Sequence, residues 1–309
     1  KSTMKNPVLM LGGLCLDRYC LLSQFPVKGQ DTLIQDTFER IGGCPINAAF
    51  TLKKFGLDPI LYSAVGAESI EKVRAFFQRN ALQSEGLFVI EDQKTGFCMI
   101  LLDDQKERTF MTYRGCEGTF RADRVPDLAY SACCLTGLYL IYGSDSENAL
   151  AYLQQFCRQG RELFFDPGPL CDQIDPQLLE KAMRLCTHLK VNQEEQQLLK
   201  QTLGKPLSAY FQDRCQAIVV TCGAKGAQLI TPHRTAHFPA LPIQLADSNG
   251  AGDAFFAGYA ASVLQGKPLD ECMQIASACG ALTAMTLGPH AEGGLKEILQ
   301  LADSAKSAC

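Results

Sequence analysis

The chain has 309 residues, 47% hydrophobic and 20% charged, a composition that suits a folded globular protein with a sizeable core. Its 29 basic and 33 acidic residues leave a net charge of −4, which argues against a broad basic face for nucleic acid; no apolar run approaches the ~18 residues of a membrane span. The 15 cysteines are scattered and lack CxxC spacing, so they read as reduced, mostly buried thiols of a cytoplasmic protein rather than a disulfide or zinc framework.

The opening KSTMKNPVLML has no long apolar core or cleavage site, so no secretory leader is expected. VLMLGG (8–13) predicts a buried first strand ending in two glycines. Residues 16–40 have no helical period, and Pro26 and Gly29 interrupt them. IGGCPINAAFTLKKFG (41–56) predicts a loop and then a helix, with Pro45 at its start and Gly56 at its stop. PILYSAVG (59–66) reads as a strand and residues 68–83 as a helix. TGFCMILLDDQKERTFMTYRG (95–115) reads as two strands about the polar turn Asp103-Asp104-Gln105-Lys106. From residue 132, apolar strands (CCLTGLYL, ELFFDPG, HLKVN, AIVVTCG, TAHFPA) alternate with helical stretches, the βαβ rhythm of a mostly parallel sheet. One α/β domain over 1–309 is expected, with 16–40 and 95–115 forming a small β lid.

Five places carry candidate chemistry. Asp17 follows the first strand, where open α/β sheets bind ligands. GGCPIN offers Gly42 and Gly43 for close approach and the Asn47 amide for hydrogen bonding. In KVNQEE, Asn192 and Glu195 stand three apart at a helix entry. VVTCGAKGA places Thr221, Gly223 and Gly226 at a turn suited to phosphates or to an ordinary hairpin. DSNGAGD puts Gly250, Ala251, Gly252 and Asp253 at the start of an apolar helix. Its amides and dipole suit an anion, and Asp253 is either a general base for phosphoryl transfer or simply the helix cap. His233 and His237 share a strand face without an acidic partner, which is a poor metal site.

In this order, Asp17, GGxxxN, NxxE, VTxGxxG and DxxGAGD resemble the ribokinase-like (PfkB) family of carbohydrate and nucleoside kinases over nearly the whole chain. QKERTFMTYRG and FDPGP are similar to a sugar-kinase subgroup within it. The resemblance implies a three-layer α/β/α sandwich with a β-sheet lid, ATP and Mg2+ as cofactors, and a small sugar or nucleoside as acceptor. Apolar lid residues such as Leu21, Leu22 and Ile34, expected to be exposed, point to a homodimer through the lid. Apart from the resemblance, Arg114 in TYRG at the end of a lid strand is either a contact for the carboxylate of an acidic sugar or a solvated lid residue. By the same resemblance, Asp253 is the base and Gly250, Ala251 and Gly252 form the anion hole. Asp17, Gly42, Gly43 and Asn47 grip the acceptor. Asn192 and Glu195 order magnesium-bound water; Thr221, Gly223, Gly226 and Ser277 line the nucleotide. Asp247, Asn249 and Gly288 mark the place of a monovalent cation, K+. Two departures stand out: Asp166-Pro167-Gly168-Pro169 lacks the Asn-x-x-Arg common after that aspartate, and Ser248 replaces the usual threonine. The competing functions are a nucleoside kinase, a non-catalytic sugar-binding regulator, and a dinucleotide dehydrogenase; the last lacks a GxGxxG after the first strand.

Overall fold

The structure is a computed structural model that describes residues 6–105, 108–141, 145–286, 288–291 and 293–306. The chain begins with β1 (Pro7–Leu11), β2 (Cys15–Leu22), β3 (Ile34–Gly42), α1 (Cys44–Lys54), β4 (Asp58–Gly66), α2 (Ile70–Arg79) and β5 (Leu87–Ile90). Its middle adds β6 (Phe97–Leu102), β7 (Arg108–Tyr113), β8 (Ala132–Thr136), α3 (Asp145–Arg158), β9 (Glu162–Asp166), α4 (Pro176–Leu185), β10 (His188–Asn192) and α5 (Gln193–Leu203). The last part supplies β11 (Ala217–Thr221), β12 (Ala227–Ile230), β13 (Thr235–Phe238), α6 (Ala251–Leu264), α7 (Leu269–Ala284) and α8 (Leu295–Lys306).

Nine strands form one sheet in the order β13-β12-β11-β10-β9-β8-β1-β4-β5, parallel from β5 to β11 and antiparallel at β12 and β13. β1 sits inside it and is buried throughout, because both faces of the sheet carry helices. Val8 and Met10 join the core under α1, α2, α6, α7 and α8, while Leu9 and Leu11 join the core under α3, α4 and α5. The period of two along the strand thus divides one apolar run between two cores. This is the expected α/β/α sandwich.

Helix α6 is the most enclosed: Ala254 to Ser262 are all buried, so it is apolar on every side. A methyl at Gly258 would lie 2.5 Å from Cys279 Sγ, and that closeness lets α7 press against α6. His188 Nδ1 lies 3.0 Å from the Tyr259 hydroxyl and ties α6 to β10; burial pushes this histidine down to about 4, so it is neutral.

The two irregular segments form a second sheet, ordered β3-β2-β6-β7, with β2 parallel to β6 and the other pairs antiparallel. Lys106 of the predicted turn lies outside the described residues. Of the apolar residues expected to be exposed here, Ile34 is, and Leu21 and Leu22 are not. Leu22 is 3% exposed and Leu21 half-buried; among the described residues of these segments the exposed ones are Val27, Leu33 (87%), Ile34 (54%), Phe38, Phe110, Met111 and Tyr113. All cysteines among the described residues are free and most are buried. Among those residues no helix is long and apolar enough to cross a membrane, and no His/Cys/Asp/Glu group could hold a metal ion.

Candidate active site

The carboxyl ends of the parallel strands lie along one edge of the large sheet, where Thr136 pairs with Asp166 and Asn192 with Thr221. Helices α1 and α6 start nearby, and their first turns meet at Asp253. Asn47 Nδ2 donates to Asp253 Oδ2 at 2.8 Å, and the Cys44 thiol also hydrogen-bonds this carboxylate. The N-cap of α6 is Gly250 (φ 72), with no side-chain cap bond, and Asp253 stands in the first helical turn. Asp253 is therefore not the cap. Its carboxyl faces a partner on another helix, and burial pushes it up to about 6; Asp166 adds to the rise, while Asn47, Lys190 and Cys44 oppose it.

Gly250 has no substitute in this geometry. Its φ is left-handed, and a methyl there would sit 2.5 Å from the Pro289 carbonyl oxygen. The amides of Gly252 and Asp253 lie in the first turn, where helix geometry gives them no intrahelical acceptor. A methyl on Gly252 would be 3.5 Å from Lys190 Nζ, so this ammonium faces the bare start of α6.

Lys190 was not singled out by its sequence, yet it is central. Its Nζ donates to Asp166 Oδ2 at 2.8 Å, and both residues are buried. Burial works against its charge, but Asp166, Glu195 and Asp253 hold it well above the usual lysine range. A lysine inside the otherwise apolar HLKVN strand was the available signal, since buried lysines are rare unless paired. Asn192 and Glu195 form a capping box on α5: Asn192 Oδ1 accepts from the Glu195 amide at 2.8 Å, and Glu195 Oε2 accepts from the Asn192 amide at 2.7 Å. Burial, then Asp166, push the Glu195 carboxyl up, with Lys190 opposing. The site thus presents an ammonium and free amides for an anion, and buried carboxylates beside them.

Around Asp17 the setting is acidic. Burial pushes its carboxyl up to about 6 against a hydrogen bond from the Cys15 thiol and the charge of Arg40, its cross-strand neighbour. A methyl on Gly42 would lie 2.1 Å from Asp17 Oδ2, so glycine makes room for this carboxylate. Gly43, with φ 108, is the N-cap of α1 and would crowd the Gly13 carbonyl oxygen if it carried a side chain. Glu117 is a further acid that sequence reading missed, for it lies in the featureless RGCEGTF. It is 5% exposed, packed beneath Gly13 and Gly96, and raised to about 8 by burial and then by Asp17. Two buried polar atoms here have no partner among the described residues, Asn47 Oδ1 and Thr136 Oγ1. Arg114 is exposed just past β7.

Thr221 ends β11, and Gly223 and Gly226 form the turn into β12, so VTCGAKGA is a hairpin. Gly226 (φ 93) lets the Phe238 backbone approach. Ser277 is half-buried on α7. Asp247 Oδ1 accepts from the Asn249 amide at 2.9 Å and from Arg108 Nη2 at 2.7 Å; Oδ2 accepts from the Gly288 amide at 3.1 Å.

The family description "pfkB family carbohydrate kinase" matches residues 6–292. The chain belongs to the pfkB family of carbohydrate kinases. It is thus a carbohydrate or nucleoside kinase, a phosphotransferase with an alcohol acceptor, and its family uses ATP. This pfkB kinase is 25% identical over 290 residues to the uncharacterized sugar kinase YegV of Escherichia coli, covering 89% of this chain and 88% of that one. It is also 25% identical over 273 residues to a nucleoside kinase of Methanothermobacter thermautotrophicus, covering 88% and 87%. Burkholderia thailandensis nucleoside kinase in complex with ADP-inosine has the same fold, with a TM-score of 0.81 at 21% identity over 97% of this chain and 96% of that one.

Proposed function

We propose that this kinase transfers the γ-phosphoryl group of ATP to a hydroxyl of a small neutral sugar or sugar derivative, with Asp253 as general base and the start of α6 as anion hole. The Asn47–Asp253 bond carries this reading. It fixes a carboxylate that caps nothing, beside an ammonium and unpaired amides. A carboxyl near 6 is ionised at neutral pH yet close enough to accept a proton usefully. Asp253 takes the proton of the attacking hydroxyl as the oxygen bonds to the γ-phosphorus and the bond to the ADP oxygen breaks. Gly250, Ala251 and Gly252 leave the backbone open to the phosphoryl oxygens, and Lys190 supplies fixed positive charge beneath them.

Asp17, Gly42, Gly43 and Asn47 hold the acceptor, with Glu117 and the unpaired Asn47 Oδ1 and Thr136 Oγ1 offering further hydrogen bonds. Two buried acids at this end favour hydroxyl donors over a sugar carboxylate, so Arg114 is left with no acidic sugar to meet. Thr221, Gly223, Gly226 and Ser277 line the nucleotide. Glu195 and Asn192 suit a magnesium ion held through water; bound with ATP, Mg2+ would neutralise phosphate charge. The lid covers the acceptor and excludes water, and its exposed Leu33, Ile34, Phe110 and Met111 suit a homodimer. The free buried thiols suit the reducing cytoplasm.

A panel of sugars and nucleosides assayed for ADP release tests the reading. Turnover of neutral sugars supports it. Turnover of nucleosides alone replaces it with the nucleoside-kinase reading, and the absence of turnover with every acceptor removes it.

A further inference from the structure

The loop ahead of α6 is held by the lid. Arg108 opens β7, opposite Leu102 of β6, and reaches Asp247 at 2.7 Å across a separation of 139 residues. The pair is largely shielded, with side-chain exposures of 24% for Arg108 and 11% for Asp247. The Asp247 carboxylate also receives the amides of Asn249 and Gly288, and the Asp247 and Ala246 amides both bond the Ala284 carbonyl at the end of α7. Arg108 Nε is buried without a partner among the described residues, so the guanidinium sits there for its charge and its Nη contact. Asn249 Nδ2 adds a second tie to the lid, donating to the Tyr19 hydroxyl of β2 at 3.3 Å.

A monovalent cation needs oxygen atoms turned toward it. At Asp247 three N–H groups converge instead, and one already brings a full positive charge. This donor set does not fit K+. We infer that Arg108 is a built-in counter-ion for Asp247, a positioning residue that sets the loop 247–252 and couples lid placement to the start of α6 in place of a bound monovalent cation. Because the charge is covalently part of the lid, displacing β7 removes the counter-ion and frees the loop.

The test compares wild type, R108A and R108K in potassium and in tetramethylammonium at equal ionic strength. Thermal unfolding and ATP affinity are read by calorimetry, and ADP release is followed with whichever acceptor the panel identifies. Wild type is expected to give the same values in both salts. R108A in tetramethylammonium loses roughly tenfold in ATP affinity or turnover, and potassium or free guanidinium restores most of it. R108K keeps the charge without the fork and falls between. Wild-type activation or stabilisation by potassium overturns the inference, and so does an R108A defect that neither cation repairs. The stability and ATP-binding arms need no acceptor, so they separate failure of this inference from failure of the acceptor assignment.

Discussion

Replacing Asp253 with asparagine is expected to make the protein more stable and nearly inactive. The carboxyl stands at about 6 in the fold, against an ordinary 3.8, chiefly because burial penalises its charge. A difference of that size corresponds to about 3 kcal/mol. The residue is half-buried on a cleft, so water screens part of it and about 1–2 kcal/mol is the expected cost at neutral pH. The direction follows from proton binding. Between 3.8 and about 6 the folded state holds this proton and the unfolded state does not, so stability falls as pH rises through that window. Asparagine keeps an oxygen to accept from Asn47 and carries no charge, so D253N should melt about 2–3 °C above wild type at neutral pH. That gap should close as the pH drops toward the ordinary carboxyl range. Turnover should fall by about 10²–10⁴-fold, the usual contribution of a general base, with little change in ATP affinity. Scanning calorimetry across pH and an ADP-release assay read both effects. A D253N protein no more stable than wild type, or a gap indifferent to pH, refutes the burial argument; near wild-type turnover refutes the base.

Asn47→Ala removes a bond that holds the Asp253 carboxyl down, so the acid limb of kcat/KM, with its wild-type midpoint near 6, should move to higher pH with partial recovery in alkaline buffer. Lys190→Met strands the buried Asp166 carboxylate and should cost about 3–5 kcal/mol in urea unfolding; D166N added to it should recover much of the loss. Gly250→Ala places a methyl 2.5 Å from the Pro289 oxygen at a left-handed φ, so it should lower stability by about 1–2 kcal/mol or more and reduce turnover with it. Glu117, raised to about 8 against an ordinary 4.5, keeps its proton in the fold while the unfolded chain gives it up, so wild type loses stability as pH rises from 4.5 to about 8. E117Q has no proton to lose, so it should match wild type only below the ordinary carboxyl range and be the more stable of the two at neutral pH and above on melting curves.

Much of the frame was legible because it is local. Strand runs, helix stops and the two irregular lid segments announce themselves through periodicity and glycine or proline punctuation. DSNGAGD could not be settled locally, since a cap and a base both require an acid at a helix start; the structure gives the N-cap to Gly250, and the partner of Asp253, Asn47, is remote in sequence. NxxE shows a different ambiguity: a capping box and a phosphate-site pair use the same two residues, and here the box is formed. VTCGAKGA likewise became a hairpin, with Gly223 and Gly226 in its turn. Lys190, Glu117 and Arg108 escaped because their meaning lies in tertiary partners that no spacing announces. Leu22 misled because alternation in a twisted lid strand does not say which face the main body covers.

The Asn47–Asp253 bond joins residues 206 positions apart. One comes from the second segment of the chain to be made and the other from nearly the last. The β1 strand, too, waits for β4 and β8 on either side, while α6 and α7 arrive only after the whole parallel sheet has been laid down. Such pairings are slow to form because the intervening chain must be ordered first. A growing or clipped polypeptide therefore carries GGCPIN without Asp253, and the Asn47–Asp253 bond forms only once α6 is in place. On the proposed mechanism, turnover therefore reports on the long-range order that brings α1 and α6 together.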